Sequence, residues 1–254
     1  MKSLRKISEV LDCFSKTEPR LSLNIISEKT GLPKTTVHRL LKSLRDIGFI
    51  VQDSSRDLYR LGDRIINLSG IVLSDLDLPR HSRMPAIKLM NQSGEAVHVC
   101  VFDGQNVISI DRHEMGKNNN EIVKIESEPP YCTGTGKAIL ACLSDKHVRD
   151  LIGQSREKYT SKTITNLDYI IEELDLIRSR GFSIDDEERQ YGIKCVSVAI
   201  YHKNKVIGAI SVTGPKERFS ESRIITLAEL VKDAAYFISQ SLETGIIPKW
   251  IRSH

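Results

Sequence analysis

No uninterrupted apolar run in this 254-residue chain is long enough to span a bilayer, so no transmembrane helix is expected. Met1-Lys2-Ser3-Leu4-Arg5-Lys6 is not followed by the continuous apolar stretch of a secretory signal, and the chain is expected to act in the cytoplasm. Cysteine is sparse: Cys13, Cys100, Cys132, Cys142 and Cys195 are scattered, odd in number and form no C-x-x-C pair. That argues against a disulfide framework and against a cysteine-based zinc site. Histidine offers no replacement. His98 alternates with Val97 and Val99 and has no second His or Cys at ligand spacing, so it reads as an interior or interface residue. No metal and no cofactor is expected. A phosphate loop is missing too. Thr133-Gly134-Thr135-Gly136-Lys137-Ala138 places Ala where G-x-x-x-x-G-K-[ST] needs a hydroxyl for Mg²⁺.

What is present begins with a segregation of charge. Residues 1–61 carry 12 basic and 7 acidic side chains, whereas the remainder carries 25 and 26. All the excess positive charge therefore lies in the first quarter of the chain, as a polyanion binder needs. The apolar periodicity there gives three helices. Leu4, Ile7, Val10, Leu11 and Phe14 share one face, and a short helix over 23–29 follows with Ser22 as its N-cap. After the turn Thr30-Gly31-Leu32-Pro33, a third helix buries Val37, Leu40, Leu41, Leu44 and Ile47 and stops at Gly48. Strands over 49–52 and 58–61 then form a hairpin wing. This is a winged helix-turn-helix, expected over residues 1–61.

The helix-turn-helix geometry fixes which residues meet DNA. With the apolar stripe inward, the third helix turns Lys34 outward with its other polar residues and places Thr35, Thr36, His38 and Arg39 for base edges in the major groove. Lys42 and Arg45 lie further along, where phosphates are reached, and Arg56 at the wing tip can reach the backbone or the minor groove. Double-stranded operator DNA is the expected partner.

An apolar-periodic stretch over 62–79 reads as a linker helix ending before Pro79, with a stripe broad enough to meet the same helix of a second subunit. From residue 80 to 254 helices bracket strands that are joined by short turns. Strands are expected at 96–102, 107–111, 122–125, 182–185, 195–201 and 206–211, and helices at 84–93, 136–143, 145–152 and 167–180 and at the C-terminal end. That is an antiparallel sheet flanked by helices, an α+β domain. The Gly-rich turn before Ala138 offers backbone N–H groups to a small carboxylate, or is a plain helix start.

Four ordered motifs now come together. They are Gly31-Leu32-Pro33-Lys34-Thr35-Thr36-Val37; Thr133 to Ala138; Asp185-Asp186-Glu187-Glu188 with Gly192 and Cys195; and Gly208 to Pro215. In these the chain resembles the IclR family of transcriptional regulators over nearly its whole length. The resemblance implies a GAF-like effector domain and a homodimer or homotetramer. It also implies DNA binding modulated by a small organic-acid effector, with a repressor expected here. Carried over motif by motif, it implies Gly134 and Thr135 as backbone donors and Asp185 and Cys195 on the pocket wall. Ser211 and Thr213 would supply hydroxyls, and Ile122 and Ile125 an apolar wall. Tyr131 stands where the family carries His, and is expected to alter pocket size.

Two other functions fit the residues less well. An enzyme fused to the DNA-binding module would use Cys195 as nucleophile with Asp185 and His202 as helpers, but a nucleophile needs a base within hydrogen-bonding reach. A DNA-binding scaffold without an effector is the other. The expected answer is a regulator and not an enzyme.

Overall fold

The computed structural model describes residues 2–15, 17–53, 57–116, 126–153 and 156–244. The chain divides into two compact units, Met1–Leu76 and Asp77–His254.

In the first unit, helices α1 (Lys2–Leu11), α2 (Leu23–Thr30) and α3 (Lys34–Asp46) enclose Val10, Ile26, Val37, Leu41 and Leu44. Local chemistry sets their ends. The Ser22 hydroxyl accepts from the Ile25 N–H at 3.4 Å, and Gly31 ends α2 at φ 66°. Pro33 is the N-cap of α3. Strands β2 (Ile50–Asp53) and β3 (Leu58–Leu61) pair antiparallel, Ile50 opposite Leu61 and Asp53 opposite Leu58. The sequence did not announce β1, the two residues Leu21–Ser22 that pair with β3, because two residues carry no readable alternation. The hairpin closes through Gly62, whose N–H donates to the Phe49 carbonyl at 2.7 Å; a Cβ there would lie 2.2 Å from the Gly48 oxygen.

Helix α4 (Asp63–Asp75) buries none of its residues within this unit. The expected single linker helix breaks at Leu76, which is extended (φ −75°, ψ 119°), and α5 (Asp77–Ser93) starts at once. Pro79 therefore does not end a helix. It sits in the first turn of α5, where its missing N–H costs nothing, which is also why α5 begins earlier than residue 84.

In the second unit, β4 (Ala96–Phe102), β5 (Val107–His113), β6 (Glu126–Glu128), β7 (Ser183–Asp186), β8 (Ile193–His202) and β9 (Lys205–Pro215) form one antiparallel sheet in the order β6-β5-β4-β9-β8-β7. The strand expected over 122–125 lies outside the described residues. Helices α6 (Gly134–Leu140), α7 (Asp145–Ile152) and α8 (Leu167–Arg180) follow β6, and α9 (Glu221–Thr244) closes the unit. The period-2 alternation gives each sheet face its own role. Val97, Val99, Val196, Ile210 and Val212 are fully buried on one face, against which α5 and α9 pack. Register puts His98, Ser197 and Ser211 in one row of the other face, and Asp185, Cys195 and Thr213 in the next. Helix α6 lies over this second face, close enough that a Cβ on Gly134 would be 2.5 Å from Ser197 Oγ.

Candidate functional site

Two surfaces carry chemistry. On α3 the apolar stripe Val37, Leu40, Leu41 and Leu44 is buried, and Lys34, Thr35, His38, Arg39, Lys42 and Arg45 are exposed on the other side. Thr36 is half-buried beside the Pro33 turn. Arg45 has a partner inside its own unit. Its guanidinium donates to Gln52 Oε1 on β2 at 2.6 Å, and Gln52 in turn donates to Asp57 at 3.1 Å. The side chain thus ties the end of α3 to the wing. Arg56 lies outside the described residues.

The second site is a cavity of about 180 Å³ between the α6-facing side of the sheet and the segments on either side of it. Of the expected pocket residues, Thr135, Asp185, Ser211 and Thr213 line it. Gly134 and Cys195 are not among its lining residues; they stand behind it, in contact where α6 meets β8. The Cys195 sulfur accepts from the Thr213 hydroxyl at 3.2 Å, and burial pushes its thiol up, away from ionisation. Ile122 and Ile125 lie outside the described residues. Tyr131 does not shape the cavity either. Its ring belongs to the core of α6, α7 and α8, and its hydroxyl donates to the Glu157 carbonyl at 2.7 Å.

The cavity also takes in residues that the sequence reading passed over: His98, Cys100, Val107, Ser109, Glu126, Glu128, Thr133, Arg189, Gln190 and Ile193. For His98 and Cys100 the signal was present in the alternation with Val97 and Val99. What was missing was the partner strand, since only the register with β9 places His98 beside Ser211. His98 is an interior residue as expected. Burial, reinforced by the nearby Arg112 charge, lowers its imidazole to about 4, so it faces the cavity neutral.

The acidic run is largely buried. Asp185, Glu187 and Glu188 are 4%, 4% and 5% exposed. Asp185 Oδ1 accepts from the Glu188 N–H at 2.8 Å, yet burial outweighs that bond and raises its carboxyl to about 7. Glu187 is held by the Lys162 ammonium at 2.7 Å and the Gly192 N–H at 2.9 Å. Beneath the cavity the buried Lys137 ammonium bonds Glu188 and lies 3.7 Å from Glu173 on α8. Arg189 pairs with Glu128 and sits over the Tyr159 ring, 4.0 Å from its centroid. The loop over the cavity is therefore pinned from three sides.

A Cys–His dyad does not form. Cys195 and His202 are seven residues apart on one strand, which separates them by about 23 Å. Among the described residues no group of three or more His, Cys, Asp or Glu is arranged to hold a metal, and no helix is long and apolar enough to cross a membrane.

Comparison with known proteins follows the same division. Residues 3–54 match the model described as IclR helix-turn-helix domain, and residues 70–240 match that of the bacterial transcriptional regulator IclR C-terminal region. The HTH-type transcriptional repressor AllR of Escherichia coli K12 is 30% identical, with 92% of this chain and 87% of AllR covered. Among solved structures, an IclR family transcriptional regulator from Brucella abortus aligns with a TM-score of 0.80 at 23% identity, covering 98% of this chain and 93% of that one. An IclR homologue from Microbacterium hydrocarbonoxydans, complexed with 4-hydroxybenzoate, aligns with a TM-score of 0.71 at 18% identity, covering 94% and 98%.

Proposed function

This chain belongs to the IclR family of DNA-binding transcriptional regulators, and on that premise we propose that it is a cytoplasmic repressor whose hold on its operator is released by a small organic acid. The observation that carries the reading is the cavity itself, a space lined by hydroxyls, a neutral histidine and a guanidinium. The Ser211, Thr213 and Thr135 hydroxyls and the Arg189 guanidinium are the groups assigned to the acid. A protein of this fold holds 4-hydroxybenzoate, and AllR is a repressor, which accords with both halves of the proposal.

On DNA, Thr35, Thr36, His38 and Arg39 are assigned to bases, and Lys34 and Lys42 to phosphates. Residues 1–61 form the DNA-binding part, 62–79 the linker and 80–254 the effector part. The linker stretch spans α4 and the start of α5. A homodimer, or a pair of them, places two recognition helices on one operator. Effector and operator then act on each other by linkage: an acid that lowers operator affinity is itself bound less tightly by the operator complex, by the same factor.

A gel shift with the DNA upstream of the chain's own gene, run with and without a panel of small acids that includes 4-hydroxybenzoate, tests this. A specific shift that one of the acids weakens is expected. Binding that ignores DNA sequence, or a specific complex that no acid affects and no acid stabilises against heat, would sink the proposal.

A further inference from the structure

The cavity is acidic, and the reading above puts an anion into it. Asp185 lines the space with 4% of its surface exposed, and Glu126 and Glu128 line it as well. Arg189 is the only Lys or Arg side chain lining it among the described residues, and it is already paired with Glu128. An incoming carboxylate in this cavity of about 180 Å³ meets Asp185 on its wall. Two carboxylates in one small, poorly solvated space are resolved when one of them takes a proton.

We propose that the cavity takes up a monocarboxylic acid together with one proton, which comes from solvent and settles on Asp185, so that ligand and side chain share a carboxyl–carboxylate hydrogen bond. This rests on the organic-acid reading of the effector and adds a condition to it. Asp185 is suited to the role by its surroundings. One oxygen is anchored by the Glu188 N–H, and β8 and β9 face it with Cys195, Ser211 and Thr213, none of them a cation. From α6 the Lys137 ammonium acts on it only from behind, committed to Glu188 and close to Glu173. The Glu188 carboxylate adds like charge, and Cys132 on the turn before α6 stays a thiol. Across the cavity β4 presents His98 and Cys100, and β6 presents Glu126 and Glu128. Burial already places the Asp185 carboxyl at about 7 without any ligand. The His98 ring, at about 4, is a far poorer proton acceptor.

Titration calorimetry on the full chain tests the proposal, with glycolate, pyruvate and 4-hydroxybenzoate as probes and the matching amides as neutral controls. Runs at pH 6 to 8.5, each in two buffers of different ionisation enthalpy, count the protons taken up. Uptake approaching one proton is expected above pH 7, with Kd rising about tenfold per pH unit there and flat below. Asp185→Asn should bind the same acid without proton uptake and without pH dependence, while His98→Gln should leave the uptake in place. Acid binding with no proton uptake, or uptake that survives Asp185→Asn and disappears in His98→Gln, overturns this inference and leaves the effector reading standing. Failure of every acid to bind at any pH overturns the effector reading, and this inference with it.

Discussion

At Asp185 the choice between burial and hydrogen bonding has a sign that can be measured. The folded carboxyl titrates at about 7 and the unfolded one near 4, so the folded chain holds this proton more tightly. The stability it contributes is complete below about pH 4, declines as pH rises and is gone above 7. The difference amounts to at most about 4 kcal/mol. Asp185→Asn keeps the shape and removes the titration. It is therefore expected to raise the melting temperature at pH 8 by several degrees and to leave it nearly unchanged at pH 4.5. A variant less stable than the parent at pH 8 would show that the backbone N–H bond to the carboxylate, and not burial, decides. Lys137 presents the opposite case. It is 2% exposed and joined to Glu188 on the cavity loop, with Glu173 on α8 beside it, so its removal strands buried negative charge. Lys137→Met should cost about 3–5 kcal/mol in urea unfolding, and Glu188→Leu added to it should recover part of that loss.

At the scale of elements, α3 divides labour along its length. Arg39 projects from the N-terminal half that enters the groove, and Lys42 and Arg45 follow three and six residues later. Arg39→Ala should weaken binding by about 1–3 kcal/mol and relax the preference at one base pair. Lys42→Ala should weaken binding on all sequences alike and reduce the salt slope by about one. Equal losses on specific and random DNA for both variants would refute the division. Arg45 is spoken for by Gln52, and its connection was invisible in the sequence because it crosses from a helix to a strand. The same distinction separates what could be read from what could not. Helices α2 and α8 were legible because apolar spacing, a capping Ser or Asn and a left-handed Gly all lie within one stretch of chain. The face of β4 that carries His98 was legible as a face. That it opens on a cavity shared with Glu128 and Arg189 depends on pairings between residues far apart in sequence. Pro79 misled because proline ends a helix and begins one with the same residue. The pairing of Glu187 and Glu188 was not legible, because only the fold supplies Lys162 and Lys137.

At the scale of the whole molecule, α4 is the element whose sequence and structure agree least with a lone chain. Arg64 fixes its start, donating to the Ile47 carbonyl at 3.0 Å and lying over the Phe49 ring. Beyond that, Leu68, Ile71 and Val72 stand on one helical face and are 41%, 59% and 60% exposed. A helix-turn-helix regulator reads an operator with two recognition helices related by a two-fold axis, and such an axis brings a surface against its own copy. Covering three half-exposed side chains on each copy is worth roughly 1 kcal/mol apiece, about 6 kcal/mol in all. Association costs about 4–15 kcal/mol in lost freedom, so this stripe by itself sits near the break-even point. One charge placed in it should then be enough to separate the copies. If the chain forms the proposed dimer, Ile71→Glu is expected to shift it toward monomer in sedimentation at micromolar concentration and to abolish cooperative operator binding, while the proposed acid binding, measured by calorimetry, is kept. Lys or Asp at the polar position Ser69 should do neither. If Ile71→Glu remains dimeric and binds its operator as the parent does, the α4 stripe is not where two copies meet.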